Sequence, residues 1–284
     1  MAIERVGVVG AGTMGSGIAE VVARAGLPTL VKEVDQATLD AGLQRIHKSI
    51  DRAVARQKIS AEEAEREREL ITGTVEWDGF GDVDLVVEAV IEDPPTKQAV
   101  FRQIDEVTKP EAVLASNTSS IPIMKLAIVT SRPEHVVGLH FFNPVPIMNL
   151  VEVVESLTTG DATVERARSF VVDVLGKRAI LSKDRAGFIV NYLLVPYILS
   201  AIRVFESGFA SKEDIDAGMV EGCNHPMGPL ALADLIGNDT CLYVAESLYE
   251  EFKEPLYAPP PLLMRMVEAG LLGRKAGKGF YDYR

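Results

Sequence analysis

A histidine and a glutamate in the middle of the chain have the types and spacing to do chemistry together. His140 lies in a β-rich run, Val136–Phe142, and Glu152 lies in a second such run, Leu150–Val154. The segment between them contains two prolines, which remove backbone donors and favour a turn or loop. If the two runs fold back as antiparallel neighbours about Pro146, the histidine and the glutamate face each other, whereas a slip of one residue turns one of them away.

Such a pair would carry out acid–base chemistry. Glu152 has apolar neighbours on both sides, and an ionised carboxylate in that setting is costly unless a partner compensates its charge. A carboxylate that fixes the tautomer of His140 and stabilises its protonated form makes a general acid/base for a substrate proton. The same residues also fit a core histidine and a solvated edge glutamate, because paired titratable groups mark functional sites only statistically.

The start of the chain has the pattern of a dinucleotide-binding turn. A strand-like run, Val6–Val9, leads into a glycine-rich segment, and a helical pattern follows over Ser16–Ala25. In such a turn Gly10 permits the tight bend, Gly12 lets a pyrophosphate approach the backbone, and Gly15 allows close helix–strand packing. The helix N-terminus adds amide donors for phosphate. The candidate cofactor-binding residues here are Gly10, Gly12, Thr13, Met14 and Gly15.

An acidic residue follows the second apolar strand, Thr29–Val31. Glu33 stands at the distance along the chain where a carboxylate accepts hydrogen bonds from the adenosine ribose. A carboxylate there repels a 2′-phosphate, so the pattern favours NAD over NADP, although the neighbouring Lys32 carries the opposite charge. A P-loop is excluded, because no Gly-Lys-Ser/Thr follows the glycines.

A charged helical stretch, residues 36–70, comes next, with a break near Lys58 where Ser60 and Glu63 form a capping box. Its first part is basic, although the chain as a whole carries a formal net charge of −12. That net charge disfavours nucleic acid and anionic membranes as partners. The basic run is therefore the best place for a ligand's phosphates, with a solvated helix face as the alternative. It comprises Arg45, Lys48, Arg52, Arg56 and Lys58.

The two cysteines and the apolar segments bear on the cellular compartment. Cys223 and Cys241 have neither a CxxC nor a zinc spacing, so we expect reduced thiols in a cytoplasmic protein. The chain opens on a strand-like run rather than on a signal peptide. The most apolar long segment, Phe188–Ile202, is too short to span a bilayer, so the sequence favours a buried helix there.

The order of the elements predicts an α/β fold with two domains. Short apolar strands alternate with helical patterns, which indicates a parallel, doubly wound, Rossmann-like sheet in residues 1–184. Ligands of such sheets bind beyond the carboxyl ends of the strands, where both Ser116–Ser120 and His140 are expected. After the alternation stops, residues 185–284 are predicted to form an all-helical domain. Its apolar first helix is expected to bury one face against a second copy of the chain in a homodimer, and burial within the domain is the alternative.

Several motifs together resemble the 3-hydroxyacyl-CoA dehydrogenase family, of which bacterial 3-hydroxybutyryl-CoA dehydrogenases are typical. The resemblance covers the whole chain, and the motif that begins at His140 is its most specific part. The motifs are Gly10-Ala-Gly-Thr-Met-Gly-Ser-Gly-Ile-Ala19, Ser116-Asn-Thr-Ser-Ser120, His140-Phe-Phe-Asn-Pro-Val-Pro146, Gly187-Phe-Ile-Val-Asn191, His225-Pro-Met-Gly-Pro229 and Gly277-Lys-Gly-Phe-Tyr281.

The resemblance implies a reaction and a role for each matching residue. His140 would take the hydroxyl proton of an (S)-3-hydroxyacyl-CoA while a hydride passes to NAD, and Glu152 would hold the imidazole. Ser119 and Asn191 match positions that contact the substrate's oxygens. The positions associated with the cofactor are Glu33, Glu92, Lys97, Asn143 and Lys275. The positions associated with the CoA portion of an acyl-CoA substrate are Ser49 and Arg56, the latter usually lysine in the family.

Two other functions fit parts of the pattern. A β-hydroxyacid dehydrogenase has the same glycine turn and a helical second domain but uses a catalytic lysine, for which Lys183 is available. This alternative assigns no function to His140 and Glu152. The other is a non-catalytic NAD-binding protein, such as a redox sensor or a crystallin-like relative, since a fold by itself does not fix a function.

Overall fold

The structure, a computed structural model, describes residues 2–284, and they form two compact units. The first unit ends at Asp184 and the second comprises Arg185–Arg284. The first is an α/β unit and the second is helical. None of the helices in residues 2–284 combines the length and the apolar character needed to cross a bilayer.

The first unit is built on an eight-stranded sheet in the order β3-β2-β1-β4-β5-β6-β7-β8. All neighbouring strands are parallel except β6 and β7, which are antiparallel. The strands are β1 Val6–Val9, β2 Thr29–Lys32, β3 Ile71–Thr74, β4 Leu85–Glu88, β5 Val113–Ser116, β6 Val136–Phe141, β7 Leu150–Glu155 and β8 Arg178–Lys183. Its helices are α1 Thr13–Arg24, α2 Gln36–Ala55, α3 Ala61–Glu69, α4 Pro94–Val107, α5 Ile123–Ala127 and α6 Asp161–Ser169.

The core of the first unit explains why its central strands are so apolar. Every residue of β1, β4, β5 and β6 is buried. When helices cover both faces of a parallel sheet, its strands have continuous apolar sequences and not an alternation of apolar and polar residues. The exceptions in these strands are polar residues that carry hydrogen bonds, above all Glu88 and His140.

The elements predicted from the sequence recur with small shifts at their ends. Helix α1 begins at Thr13, three residues before the predicted start, and the predicted capping box of Ser60 and Glu63 is present. Strand β3 was missed, because Ile71–Thr74 contains a glycine and two threonines and no residue of it is fully buried. Helix α6 continues as a π-helical turn, Phe170–Val174.

The second unit consists of five helices around its own apolar core. They are α7 Val190–Glu206, α8 Lys212–Cys223, α9 Pro229–Ile236, α10 Asn238–Phe252 and α11 Pro261–Glu268. Two buried aspartates hold its C-terminal segment in place. Asp234 accepts hydrogen bonds from the amides of Phe280 and Tyr281, and Asp216 accepts one from the Tyr281 hydroxyl.

Candidate active site

His140 and Glu152 are paired inside the sheet of the first unit. Strands β6 and β7 run antiparallel in a register that places these two residues directly opposite each other. Nδ1 of His140 lies 2.6 Å from Oε2 of Glu152. Glu152 is fully buried, and His140 is 6% exposed. The expectation that the two side chains face each other is confirmed.

This geometry determines what the imidazole can do. With the Nδ1 proton held by the carboxylate, Nε2 is left as the nitrogen that can take up or release a proton. The buried negative charge of Glu152 stabilises the imidazolium that forms when Nε2 is protonated. The pair therefore has the arrangement of a general acid/base and of the group that orients it.

Asn117 fixes the end of the strand that carries the histidine. Backbone pairing of β5 with β6 ends at Ser116 and Gly138. Beyond that point the Asn117 side chain takes over, and its Oδ1 accepts the amide of Phe141 at 2.9 Å. The sequence predicts a polar turn over Ser116–Ser120 but indicates no role for this asparagine. No sequence signal identifies this role, because the contact joins residues that lie 24 positions apart in the chain.

The polar turn after β5 is organised by Glu92. One oxygen of its carboxylate accepts hydrogen bonds from the Thr118 hydroxyl at 2.5 Å, the Ser119 amide at 3.0 Å and the Ser120 hydroxyl at 3.0 Å. Burial by itself would raise the pKa of Glu92, but the charge of Lys97 and these hydrogen bonds lower that pKa overall. The half-buried Ser119 therefore has its backbone fixed by an ionised carboxylate.

Lys97 is buried and paired with two carboxylates. Its ammonium lies 2.6 Å from Oε1 of Glu88 and 3.2 Å from Oε2 of Glu92. The family resemblance implies cofactor positions at Lys97 and Glu92 and none at Glu88. The signal was present, since a glutamate inside the apolar strand Leu85–Glu88 needs a partner as much as Glu152 does.

The glycine turn has the shape that a pyrophosphate requires. Gly10 has φ +95°, and a Cβ built there would lie 2.7 Å from the carbonyl oxygen of Ala89. A Cβ on Gly15 would lie 1.8 Å from the Gly10 oxygen, so α1 packs against the turn at a distance that only glycine permits. A Cβ on Gly12 would meet no atom of the described chain within 4 Å. The turn therefore leaves open space at the N-terminus of α1, where Thr13 and Met14 begin the helix.

Glu33 lies beside this turn. Its Oε1 accepts the amide of Ala11 at 2.5 Å, and its Oε2 accepts the amide of Val34 at 3.1 Å. Lys32 points elsewhere, since its ammonium stacks 4.5 Å from the centroid of the Trp77 ring and donates to the Glu33 carbonyl. The charge nearest the predicted ribose position is therefore the carboxylate. Together with the open glycine turn, these residues fit NAD.

The remaining predicted positions in the first unit lie on exposed elements. Asn143 is exposed in the loop that joins β6 to β7, and Lys177 supports that loop by donating to the carbonyl oxygens of Val145 and Met148. Ser49 is half-buried and Arg56 is exposed, at the C-terminal end of α2.

The basic run on α2 is not uniformly available to a ligand. Arg45 donates from Nη1 to the carbonyl oxygen of Ala11 at 2.6 Å, so it supports the glycine turn. The rest of the run, Lys48, Arg52, Arg56 and Lys58, is exposed.

Two predicted positions belong to the helical unit. Asn191 is half-buried near the start of α7. Lys275 is exposed, and its ammonium lies 2.6 Å from Oδ2 of Asp239.

Lys183 has a different environment from that of a catalytic lysine. It ends β8, its side chain is 76% exposed, and its ammonium is paired with Glu155. Solvent and Glu155 surround this ammonium, whereas a catalytic lysine is held in a buried, desolvated position. Of the two proton-handling candidates, His140 is the one held in a buried and oriented position.

Comparison with known proteins identifies the family. Residues 5–185 match the NAD binding domain of 3-hydroxyacyl-CoA dehydrogenase, and residues 187–283 match the C-terminal domain of the same family. A 3-hydroxybutyryl-CoA dehydrogenase of Mycobacterium tuberculosis is 56% identical over 283 residues, covering 99% of both chains. The human mitochondrial hydroxyacyl-coenzyme A dehydrogenase is 40% identical, covering 99% of this chain and 92% of the human one.

A solved structure agrees with these sequence matches. The crystal structure of (S)-3-hydroxybutyryl-CoA dehydrogenase from Ralstonia eutropha superimposes with a TM-score of 0.95 at 44% identity, covering 100% of both chains. The match extends over both units of the chain, as the two family domains do. The chain belongs to the 3-hydroxyacyl-CoA dehydrogenase family and is an NAD-dependent oxidoreductase.

Proposed function

We propose that this enzyme interconverts (S)-3-hydroxybutyryl-CoA and acetoacetyl-CoA, with His140 handling the hydroxyl proton. The observation that carries the proposal is the buried contact of 2.6 Å between His140 Nδ1 and Glu152 Oε2. The sequence relatives named above act on this substrate class by name. The first unit would bind NAD, and the helical unit would contribute to substrate binding and dimerisation.

In the oxidative direction the alcohol loses its hydrogen in two parts. Bound NAD supplies the acceptor for the hydride that leaves C3 with its pair of electrons. His140 removes the hydroxyl proton at Nε2, and the C3–O bond becomes a carbonyl. Glu152 keeps the imidazole in the required tautomer and balances the positive charge that it gains. In the reductive direction the imidazolium returns the proton to the substrate oxygen.

The other candidate residues divide between the two ligands. We assign Ser119 and Asn191 to the substrate's oxygens, and Asn143 and Lys275 to NAD. Ser49 and Arg56 would hold the CoA portion, and support comes from the exposed positive charge of Arg56 at the end of α2 in an otherwise acidic protein. An exposed guanidinium there can hold a phosphate through charge-assisted, bidentate hydrogen bonds.

We propose a homodimer formed through the helical unit. Helix α7 begins with exposed apolar side chains, among them Tyr192, which is 36% exposed, and Leu193, which is 66% exposed. Exposed apolar groups that lie together favour an interface between subunits. A Leu193→Glu variant should then run as a monomer in size-exclusion chromatography with light scattering, whereas the wild-type chain should run as a dimer.

We also propose a cytoplasmic location, supported by the state of the two thiols. Cys223 is exposed and Cys241 is buried, and both are free cysteines. Burial raises the pKa of the Cys241 thiol to about 12, which keeps it protonated and unreactive at neutral pH. An exposed free thiol such as Cys223 persists in a reducing compartment.

The proposed reaction is tested by reducing acetoacetyl-CoA with NADH and with NADPH in parallel, and then extending the series to longer 3-ketoacyl-CoAs. We expect turnover with NADH and a preference for the four-carbon thioester. His140→Gln should bind NADH like the wild-type protein and give no measurable turnover. If the wild-type protein binds NADH but reduces none of these thioesters, it is a non-catalytic NAD-binding protein. Turnover that survives in His140→Gln and is lost in Lys183→Met would instead favour the lysine mechanism.

A further inference from the structure

The loop between β6 and β7, residues 142–149, is held by a lysine from a later part of the chain. Lys177 immediately precedes β8, and its ammonium donates to the carbonyl oxygens of Val145 at 2.9 Å and Met148 at 2.7 Å. Burial and the nearby charge of Arg24 lower the pKa of Lys177. The surroundings therefore disfavour a positive charge at this position, and what the ammonium provides in return is a pair of hydrogen bonds to the loop.

The same loop packs against helix α1 through a single buried side chain. Val145 is 2% exposed. A Cβ on Gly17 would lie 2.8 Å from Cβ of Val145 and 3.5 Å from Cδ of Pro146, so α1 approaches the loop at a distance that leaves no room for a larger residue. Because α1 begins at the glycine turn, the loop contacts the helix whose N-terminus is suited to the pyrophosphate.

The two carbonyls that Lys177 binds belong to one tight turn. The amide of Met148 donates to the carbonyl oxygen of Pro144 at 2.9 Å, and Val145 lies between these two residues in the chain. By bridging Val145 and Met148, the ammonium fixes the turn as a unit. Asn143, which we assign to NAD, immediately precedes this turn, so a shift of the turn would displace it.

We infer that Lys177 is a positioning residue for hydride transfer. By holding the β6–β7 loop against α1, it fixes the position of Asn143 relative to the cofactor, and through Asn143 it aligns the nicotinamide with the reacting carbon. The inference rests on the proposed function for the role of Asn143. The phosphates and the adenosine ribose bind at the glycine turn, so Lys177 acts on the reactive end of NADH and has little effect on its overall affinity.

The test compares four variants with the wild-type protein and a matched control. The variants are Lys177→Met, Lys177→Arg, Asn143→Ala and the double variant of Lys177→Met with Asn143→Ala. The control is Arg203→Met, because Arg203 donates to the carbonyl oxygens of Leu256 at 3.1 Å and Ala258 at 2.6 Å and so holds a loop of the helical unit in a comparable way. The measurements are kcat and KM for acetoacetyl-CoA, the dissociation constant and fluorescence emission of bound NADH, and the thermal midpoint.

We expect Lys177→Met to lower kcat by about 10- to 100-fold, the scale of a small misplacement at a reacting centre, with little change in KM or in the dissociation constant of NADH. Lys177→Arg should recover most of kcat, because a guanidinium can donate to both carbonyls and a surface cavity of about 390 Å³ beside Lys177 leaves room for it.

The double variant should be no slower than Asn143→Ala, because the effects of two residues that act through one contact are not additive. The emission of bound NADH in Lys177→Met should shift in the same direction as in Asn143→Ala. Arg203→Met should lower only the thermal midpoint. If Lys177→Met does not fold, Lys177→Gln, which keeps a donor on a shorter side chain, takes its place.

Three outcomes would overturn the inference. Losses of kcat that multiply in the double variant would mean that Lys177 acts independently of Asn143. A kcat that Lys177→Arg does not recover would separate the effect from the two carbonyl contacts. A change confined to the thermal midpoint, as expected for Arg203→Met, would make Lys177 a source of stability alone. If the wild-type protein does not reduce acetoacetyl-CoA, the proposed function fails, and the emission of bound NADH still tests whether Lys177 and Asn143 act together on the nicotinamide.

Discussion

Oε2 of Glu152 lies 2.6 Å from Nδ1 of His140, at directly opposed positions of two antiparallel strands in a sheet that is otherwise parallel. A carboxylate and an imidazole can meet in many ways on a protein surface, but here both lie in buried strands that hold their directions. The turn between the strands determines their register, and this register places His140 opposite Glu152.

Replacing Glu152 by glutamine should lower kcat by about 10²- to 10⁴-fold, the range that general acid–base catalysis contributes. An amide keeps the size of the side chain but supplies no charge to stabilise the imidazolium, and it can donate to Nδ1 and so favour the wrong tautomer. The kcat for acetoacetyl-CoA reduction measures the effect, and an NADH titration checks that the cofactor site is intact. A kcat equal to that of the wild-type protein would show that Glu152 has no part in proton transfer.

Alanine at Gly15 should lower the stability of the fold, whereas alanine at Gly12 should weaken the binding of NADH and leave the fold intact. A Cβ at Gly15 would lie 1.8 Å from the Gly10 oxygen, so Gly15→Ala should lower the thermal midpoint by displacing α1. A Cβ at Gly12 meets no described atom within 4 Å, so Gly12→Ala should fold like the wild-type protein but bind NADH more weakly. Thermal unfolding and fluorescence titration with NADH distinguish the two. Unchanged NADH affinity in Gly12→Ala would place the pyrophosphate elsewhere.

Replacing Glu33 by glutamine should reduce the preference for NADH over NADPH. The carboxylate beside the glycine turn repels a 2′-phosphate, and removing about 1.4 kcal/mol of repulsion changes the ratio of kcat/KM values about tenfold. The ratio is measured with acetoacetyl-CoA and each cofactor. Glu69→Gln, a change of equal charge at an exposed position on α3, should leave the ratio as it is. A ratio that is unaffected by Glu33→Gln would remove this residue from cofactor selection.

Replacing Arg56 by glutamine should raise KM for acetoacetyl-CoA and leave kcat nearly unchanged, because the charge is proposed to bind the CoA portion equally in the ground and transition states. With a truncated thioester that lacks the nucleotide, the variant and the wild-type protein should give the same KM. Arg102→Gln, at an exposed position on α4, is the matched control. An equal rise in KM for both thioesters would mean that Arg56 acts on the fold rather than on CoA.

Glu92 should stabilise the folded protein in a pH-dependent way. Its pKa in the folded state lies below the ordinary value of 4.5, so the ionised form favours folding. Its contribution is therefore fully present above pH 4.5 and is lost as the pH falls through the lower, folded-state pKa. Urea unfolding of wild-type and Glu92→Gln proteins should show the largest difference in the free energy of unfolding at neutral pH.

The same measurement below that window should show the difference closing. Glu69→Gln, at an exposed position on α3, is the matched control. A difference for Glu92→Gln that stays constant from neutral to acid pH would mean that Glu92 does not depend on its charge for its structural role.

Much of the fold could be predicted because each of its signals is local. The strand, glycine turn and helix around Gly10–Gly15 follow from apolar runs and from the space that only glycine leaves. The pairing of His140 with Glu152 was also predictable, since both lie at equal distances from Pro146 and strand periodicity fixes which residues share a face. The weak strand Ile71–Thr74 was missed because its own residues carry little apolar signal, and its pairing with β2 is what makes it a strand.

The long-range contacts in the candidate site could not be predicted from the sequence. The sequence places Glu88 in an apolar strand, where an ionised carboxylate needs a partner, but only the fold shows that this partner is Lys97, nine residues further along the chain. It placed Asn117 in a polar turn, but only the fold brings its side chain to the amide of Phe141. These contacts join residues from different strands and helices, so their geometry is fixed by how the elements pack and not by any pattern within one element.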